Sequence, residues 1–377
     1  MLIALGLLLT LQDPGAVDRA VRAGITEGVY PGAVAVIGTS DRILLARGYG
    51  HFTWNAGSSV PDPDSTLFDL ASLSKVVATT TAIMLLADRG QLALQQPVQR
   101  FLPAFAGDGK DQVTVRLLLE HRSGLRAGLR LDTLARDAAE ARALVLAEPL
   151  RWPPDSRTLY SDLNAMLLGW IVEAVAGEPL DVFAAREVFG PLQMTSTQYR
   201  PPKALVPRIM PVGLWHGHAI AGEVHDQNAA RLGGVAGHAG LYVTGADLAR
   251  FAQFMLRRGT LPDGQVLVRA GAIDTFIRRG PGNRGLGWES RDTTATDNSG
   301  HLMSAATYGH TGFTGTSLWI DPERDLFVIL LTNRVFAPHT GRSITLLKRV
   351  RGAVADAAVA LAESCTATAE CADGSSP

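Results

Sequence analysis

Apolar positions along the chain fall into two patterns. Between Val76 and Ala87 the residues are apolar or Thr almost without interruption, which predicts a helix that is greasy on every side and belongs at a domain centre. That run stops at Asp88-Arg89-Gly90, where Gly is the terminator. Elsewhere the apolar positions are one-sided. Val17, Ala20, Val21 and Ile25 predict a helix over 16–27. Strands are predicted over 32–37 and 43–50, around the turn Gly38-Thr39-Ser40-Asp41. The clearest hairpin joins 314–321 to 326–332 through Pro322-Glu323-Arg324-Asp325. A short helix over 113–121 opens at Thr114 and ends at Ser123-Gly124. Residues 131–146 are helical in composition, 163–176 form a strong helix closed by Gly177, and 181–189 form a shorter one. Leu241-Tyr242-Val243 reads as a strand, followed by a helix over 246–256 behind the cap Thr244-Gly245. A last amphipathic helix covers 344–362, while 97–105 has no clear period and proline-bearing 201–222 reads as loop.

Strands therefore cluster near both ends, and 90–235 is mainly helical. This predicts an α+β fold: an antiparallel sheet built from both chain ends, flanked by the terminal helices, with a helical subdomain inserted over roughly 90–235. A site belongs in the cleft between the two parts. One domain is expected over 13–363, with a flexible tail over 364–377 that holds both cysteines, Cys365 and Cys371. That pair can close a small loop outside the fold but supplies neither a disulfide framework nor a cysteine-based metal site. The 377 residues are 46% hydrophobic and 19% charged, with net charge -1 and no basic run, which argues against a nucleic-acid partner. The apolar run 2–11 is too short to span a bilayer and resembles the middle of a secretory signal peptide. No basic residue precedes it and no Ala-x-Ala follows, so it reads either as a truncated signal remnant over 1–12 or as the start of the first helix. The reading leans to export, periplasmic or extracellular, with a cytoplasmic place left open.

At the mouth of the greasy helix stands Ser72-Leu73-Ser74-Lys75. A serine opening a helix lies beside free N–H groups and the positive end of the dipole, and Lys75, three residues on, shares its face. This places a serine beside an amine base. Alone the pattern is weak, because Ser-x-x-Lys arises by composition and Ser72 would serve equally as an N-cap. Four other stretches change its weight: Leu117-Leu118-Leu119-Glu120-His121-Arg122-Ser123-Gly124-Leu125; Tyr160-Ser161-Asp162; Ala236-Gly237-His238-Ala239-Gly240-Leu241 with Asp247-Leu248-Ala249-Arg250-Phe251; and His310-Thr311-Gly312, placed at the opening of the hairpin strand.

In this order and spacing the motifs resemble the penicillin-recognising serine hydrolases over roughly 15–340, and within them the class C β-lactamase group with its low-molecular-weight DD-peptidases and esterases. The resemblance implies the β-lactamase/transpeptidase-like fold and assigns roles. Ser72 is the nucleophile of an acyl-enzyme, and Lys75, its pKa lowered in a crowded cationic cleft, takes the proton. Tyr160 shares that proton and passes it to the leaving group. Asp162, His238, His310, Thr311 and Gly312 face substrate, with His310 holding the Tyr160–Lys75 network and Gly312 keeping the strand face open. The backbone N–H groups of Ser72 and Phe313 form the oxyanion hole.

Two departures bear on substrate. Asp162 stands where the family usually has Asn, and His310 where most β-lactamases have Lys; His titrates near 6.5 and gives no fixed charge for an antibiotic carboxylate. Both shift the reading from an efficient class C β-lactamase towards an esterase or D-amino-acid peptidase. The implied substrate is an ester, a D-amino-acid peptide or a β-lactam, with no cofactor, no metal, no nucleic acid and no stable membrane insertion. Two rivals stand beside it. His216-Gly217-His218, His225 and His238 suggest a zinc site, which would need three or four convergent ligands. A non-catalytic protein that binds penicillin or cell-wall peptide would have no need to keep Ser72, Lys75 and Tyr160 together.

Overall fold

The computed structural model describes residues 14–215, 218–292, 298–336 and 344–367. The apolar stretch 2–11, His216 and Cys371 lie outside the described residues. The main sheet has six strands in the order Ile43–Gly50, Gly32–Gly38, Leu326–Thr332, Ser317–Asp321, Tyr308–Thr311, Glu289–Ser290. Every neighbouring pair is antiparallel, so the two chain ends build one sheet as the sequence predicts.

Its inner strands are buried on both faces, which is why 32–38 and 326–332 are nearly continuous apolar runs. Ala33, Ala35, Ile37, Val328 and Leu330 pack under the terminal helices Pro14–Thr26 and Ile344–Ala367. Val34, Val36, Ile329 and Leu331 point the other way, into the larger core around the central helix.

That central segment is not one uniform helix. A short strand, Phe68–Asp69, leads into a 3-10 turn, Ala71–Leu73, then a π-helical stretch, Lys75–Thr80, and only then regular α-helix, Thr81–Asp88. Ser72 therefore sits inside a 3-10 turn and does not cap an α-helix. Ala71–Asp88 is long and apolar enough to cross a membrane by length and composition, at mean hydropathy 1.2, but it is the core helix, 83% buried inside the fold.

Most helices start where the sequence says. Thr114 accepts from Leu117 N–H at 3.2 Å to open Val115–Leu119, and Thr244 accepts from Asp247 N–H at 3.2 Å at the head of Gly245–Leu256. Asp162–Ala176 ends at left-handed Gly177. Other elements differ from expectation. The helical composition over 131–146 splits into Leu131–Leu134 and Ala138–Ala147, because Ala135 turns extended and Asp137 caps a new start through Glu140 N–H. The 201–222 loop contains a 3-10 turn, Lys203–Arg208, and a hairpin pairing Gly213–Trp215 with His218–Ile220. Helices Gln227–Arg231 and Ala270–Ile277 carry no strong periodicity and were not predicted. The His310 motif does not open the hairpin strand: Gly312 N–H donates to Thr316 O and Gly315 N–H to Gly312 O, a turn that puts His310 on its own strand beside Ser317–Asp321. The last helix continues through Ala367, so Cys365 is a disulfide-bonded residue buried against the terminal-helix core, not part of a loose tail.

Candidate active site

The backbone around Ser72 is held from three sides. Asp69, fully buried, accepts from Ala71 N–H at 2.8 Å with one oxygen and from His225 N–H at 2.8 Å with the other. Thr314 Oγ1 donates to Asp69 O at 2.8 Å, and Thr316 Oγ1 to Leu70 O at 3.0 Å. These contacts pin Ala71 in the left-handed region at φ 47°, a conformation that costs an alanine about 1–2 kcal/mol. Burial pushes the Asp69 carboxyl up to about 6, although its two backbone hydrogen bonds pull the other way.

Lys75 is buried, and all three ammonium hydrogens have acceptors: Asp162 Oδ1 at 2.7 Å, Ser72 Oγ at 3.0 Å and the His238 carbonyl at 3.0 Å. Burial works against its charge, but the neighbouring Tyr160 and Asp162 outweigh that and raise the Lys75 pKa. The sequence reading of a lowered pKa is corrected here: the cleft is not simply cationic, because Asp162 supplies the counter-charge. Asp162 is in turn held below the usual carboxylate range; burial opposes this, and Lys75 followed by His238 overcome it. Asp162 reaches Lys75 because Ser161 occupies the N-cap position and Asp162 N–H donates to Ala127 O at 2.8 Å.

The Tyr160 ring lies 5.0 Å from Lys75 Nζ and 5.0 Å from the Arg284 guanidinium carbon, measured to the ring centroid. Its hydroxyl is buried beside Lys75, whose charge it favours. His121 stacks 4.7 Å from it and His310 5.9 Å away, both tilted by about 40°. Burial first, then Arg284 and Lys75, hold both histidines well below the ordinary value, so His310 is neutral rather than half-charged near pH 6.5. The His121 ring is oriented by Ser161 N–H, which donates to Nδ1 at 3.1 Å. His310 Nδ1 bonds to Thr311 O at 2.9 Å, which leaves its buried Nε2 unpartnered.

Phe313, beyond the His310 strand, is 62% exposed, and its N–H makes no backbone hydrogen bond among the described residues. Its carbonyl accepts from Arg334 Nε at 3.2 Å and NH2 at 2.6 Å, while His225 stacks on its ring at 5.5 Å. Half-buried Thr311 lies at the end of the strand. Gly312 does not open a strand face. A Cβ there would lie 2.1 Å from Thr316 Oγ1 and 2.4 Å from Leu70 O, so glycine is needed where the strand end meets the entry to the central helix.

His238, read as facing substrate, is 1% exposed and bonded through Nε2 to Asp226 Oδ1 at 3.0 Å; only its carbonyl serves Lys75. His225 and His238 are thus engaged separately, and among the described residues no three His, Cys, Asp or Glu side chains converge as metal ligands. Four contributors went unassigned in the sequence: Asp69, His121, Asp226 and Arg284. Two of them had a weak signal, since His121 lies inside a quoted stretch and Asp69 immediately precedes the Ser72 turn.

The chain is 31% identical over 364 residues to a putative D-alanyl-D-alanine carboxypeptidase of Escherichia coli K12, covering 85% of this chain and 82% of that one. It is 32% identical over 359 residues to an N-acetylmuramyl-L-alanine amidase of Bacillus subtilis 168, covering 85% and 81%. A penicillin-binding protein homologue from Caulobacter crescentus shares the fold at TM-score 0.72 and 21% identity, over 91% of this chain and 97% of that one. Residues 17–351 match the family model described as Beta-lactamase, and the chain belongs to that family.

Proposed function

We propose that this serine-hydrolase-family protein forms an acyl-enzyme on Ser72 and acts as a D-amino-acid peptidase or esterase, with weak or no β-lactamase activity. The observation that carries this reading is the Ser72 Oγ–Lys75 Nζ contact of 3.0 Å, with Lys75 locked by Asp162 at 2.7 Å. As a saturated ammonium Lys75 orients the Ser72 oxygen but cannot accept its proton; the proposed acceptor is the neighbouring Tyr160 oxygen, which can take that proton only as the phenolate, beside the Lys75 ammonium. In this sequence of steps Ser72 Oγ bonds to the substrate carbonyl carbon as its proton passes to Tyr160. The negative charge on the former carbonyl oxygen is met by the N–H groups of Ser72 and Phe313. The carbon–nitrogen or carbon–oxygen bond then breaks, the proton moves from Tyr160 to the leaving amine or alcohol, and water releases the acid by the reverse route. Neutral His310 in place of a fixed lysine charge supports weak turnover of β-lactams. The names of the Escherichia coli and Bacillus subtilis relatives, a putative D-alanyl-D-alanine carboxypeptidase and an N-acetylmuramyl-L-alanine amidase, support an alanine-containing peptide or amide substrate.

The test is intact-protein mass after incubation with a fluorescent penicillin, with turnover of a D-alanyl-D-alanine peptide and a p-nitrophenyl ester measured on the same sample. An adduct on Ser72 that is absent from a folded Ser72→Ala variant is the expected result. An adduct that persists in Ser72→Ala ends the proposal. Ester turnover without peptide turnover selects the esterase branch.

A further inference from the structure

Arg351 is a charge in an apolar place. It sits on the terminal helix Ile344–Ala367, 4% exposed, on the stretch where Leu347, Val350 and Val354 pack under the main sheet. Its acceptors are all neutral oxygens: Nη1 donates to Asn298 Oδ1 at 3.0 Å, and Nη2 to Thr316 O at 2.6 Å and Gly312 O at 3.1 Å. Burial first, then Arg334, pushes the guanidinium down to about 9, so keeping a cation here is costly to the fold. Segment 298–302 closes over this part of the helix: Asn298 and Ser299 are buried, and His301 N–H and Leu302 N–H donate to Asp356 Oδ1 at 2.6 and 2.8 Å. An anchor between helix and sheet needs only apolar side chains, which would avoid that cost.

What Arg351 grips is the turn that follows His310. Gly312 and Thr316 form the neck of that turn, where Gly312 N–H donates to Thr316 O at 2.8 Å. One guanidinium nitrogen bridges both carbonyls across the neck. The peptide bond from Gly312 to Phe313 is trans, so Phe313 N–H points away from the Gly312 oxygen and hence away from the terminal helix. The opposite face is the Ser72 side, where the Thr314 and Thr316 hydroxyls donate to the Asp69 and Leu70 carbonyls. Arg334 holds the next carbonyl, that of Phe313, so an arginine clamps each peptide unit flanking this residue. A charged donor on the Gly312 carbonyl also polarises the amide and makes the Phe313 N–H a stronger donor.

We infer that Arg351 is a positioning residue for the oxyanion hole: from the far face of the sheet it clamps the Gly312 carbonyl and so aims the Phe313 N–H at the substrate oxygen that becomes charged when Ser72 attacks. This rests on the acyl-enzyme reading of Ser72, with Phe313 N–H as the second oxyanion donor. Arg351 acts on the reaction through one backbone amide and not by meeting substrate itself.

The experiment measures kcat and KM on a p-nitrophenyl ester for wild type, Arg351→Met, Arg351→Lys and Leu347→Ala, with a urea midpoint for each. Intact mass after treatment with a fluorophosphonate gives the fraction of molecules with reactive Ser72, so that rates refer to folded enzyme. A misaimed oxyanion donor weakens the transition state and spares ground-state binding. Arg351→Met should therefore lower kcat about tenfold or more with KM little changed. Arg351→Lys keeps the charge but loses the planar fork, and its kcat should fall between the two. Leu347→Ala is the control: it removes buried packing four residues earlier on the same helix, and should lower the urea midpoint with kcat unchanged. A kcat that falls as far in Leu347→Ala as in Arg351→Met overturns the role of Arg351, as does a loss carried by KM. If Arg351→Met does not fold, Arg351→Lys decides alone, and a kcat equal to wild type overturns the role. A wild type that gives no Ser72 adduct overturns the acyl-enzyme reading and this one with it.

Discussion

The Asp162 carboxylate lies 2.7 Å from the Lys75 ammonium, at the point where the Asp162–Ala176 helix begins and the central helix has just turned π-helical. This ion pair decides which protonation state of Lys75 faces Ser72. With burial opposing the charge and Tyr160 and Asp162 favouring it, the folded state keeps the lysine protonated to higher pH than free lysine. Asp162→Asn removes a negative charge while keeping the shape, so the Lys75 pKa falls. If the ammonium is the working form, the falling alkaline limb of the kcat/KM profile moves to lower pH and the rising limb stays in place. If neutral Lys75 were the base, the rising limb would move instead. A pH profile of the variant on a p-nitrophenyl ester distinguishes the two, and a profile identical to wild type would remove Asp162 from control of Lys75.

Asp69 gives a pH signature in stability rather than in rate. Its carboxyl is raised from 3.8 to about 6 in the folded protein, chiefly by burial. The folded state therefore takes up this proton first as pH falls. The resulting stabilisation is complete below about pH 4 and is lost as pH rises through 6, roughly 3 kcal/mol in all for a gap of about two pH units. Asp69→Asn has no such titration, but its amide NH2 cannot accept, so either Ala71 N–H or His225 N–H is left unpaired at about 1–3 kcal/mol. The variant should be less stable than wild type near pH 4, with the gap closing towards pH 7. Urea unfolding of both proteins at the two pH values measures this; a gap independent of pH refutes it.

The parts of the site that sequence spacing exposes are those whose neighbours are local or whose elements begin with a strong signal. Ser72 and Lys75 are one helical turn apart, and Tyr160-Ser161-Asp162 abuts a helix that 163–176 announces. Caps at Thr114 and Thr244 were legible for the same reason, since a hydroxyl and an N–H three residues on make the contact. What stayed hidden depends on through-space approach. The direction of the Lys75 shift follows from Tyr160 and Asp162 closing on it against burial, Asp162 at 2.7 Å, and no residue pattern encodes that approach. Arg284 lies in a turn without periodicity and becomes part of the site only because backbone hydrogen bonds fold 280–287 against Phe276 and Leu119. The short strand Tyr308–Thr311 includes a glycine and only four residues, too little alternation to separate it from the hairpin that follows. The resemblance puts His238 facing substrate, yet Gly237 lets this segment pack closely on the Asp162–Ala176 helix, and the His238 ring is enclosed.

Gly237 tests that last point directly. A Cβ built there would lie 2.0 Å from Ala165 O and 3.1 Å from Gly169 N, both backbone atoms of the Asp162–Ala176 helix, so neither can swing aside as a side chain would. The Gly237 carbonyl accepts from Thr79 Oγ1 at 2.8 Å, and the next carbonyl, of His238, accepts from Lys75 Nζ at 3.0 Å. A backbone shift that relieves the clash therefore moves an acceptor away from Lys75. Gly237→Ala should lose about 1–3 kcal/mol of unfolding free energy by overpacking and lower ester kcat/KM as well. Gly271→Ala is the control. It lies in the Ala270–Ile277 helix, its added Cβ meets nothing within 4 Å, and it should gain up to about 1 kcal/mol through reduced unfolded-state entropy. Denaturant titration and ester kinetics on both variants decide the matter. Equal stability in the two would mean the helix and the Gly237 segment part easily, and that the Lys75 acceptor is not fixed by their close approach.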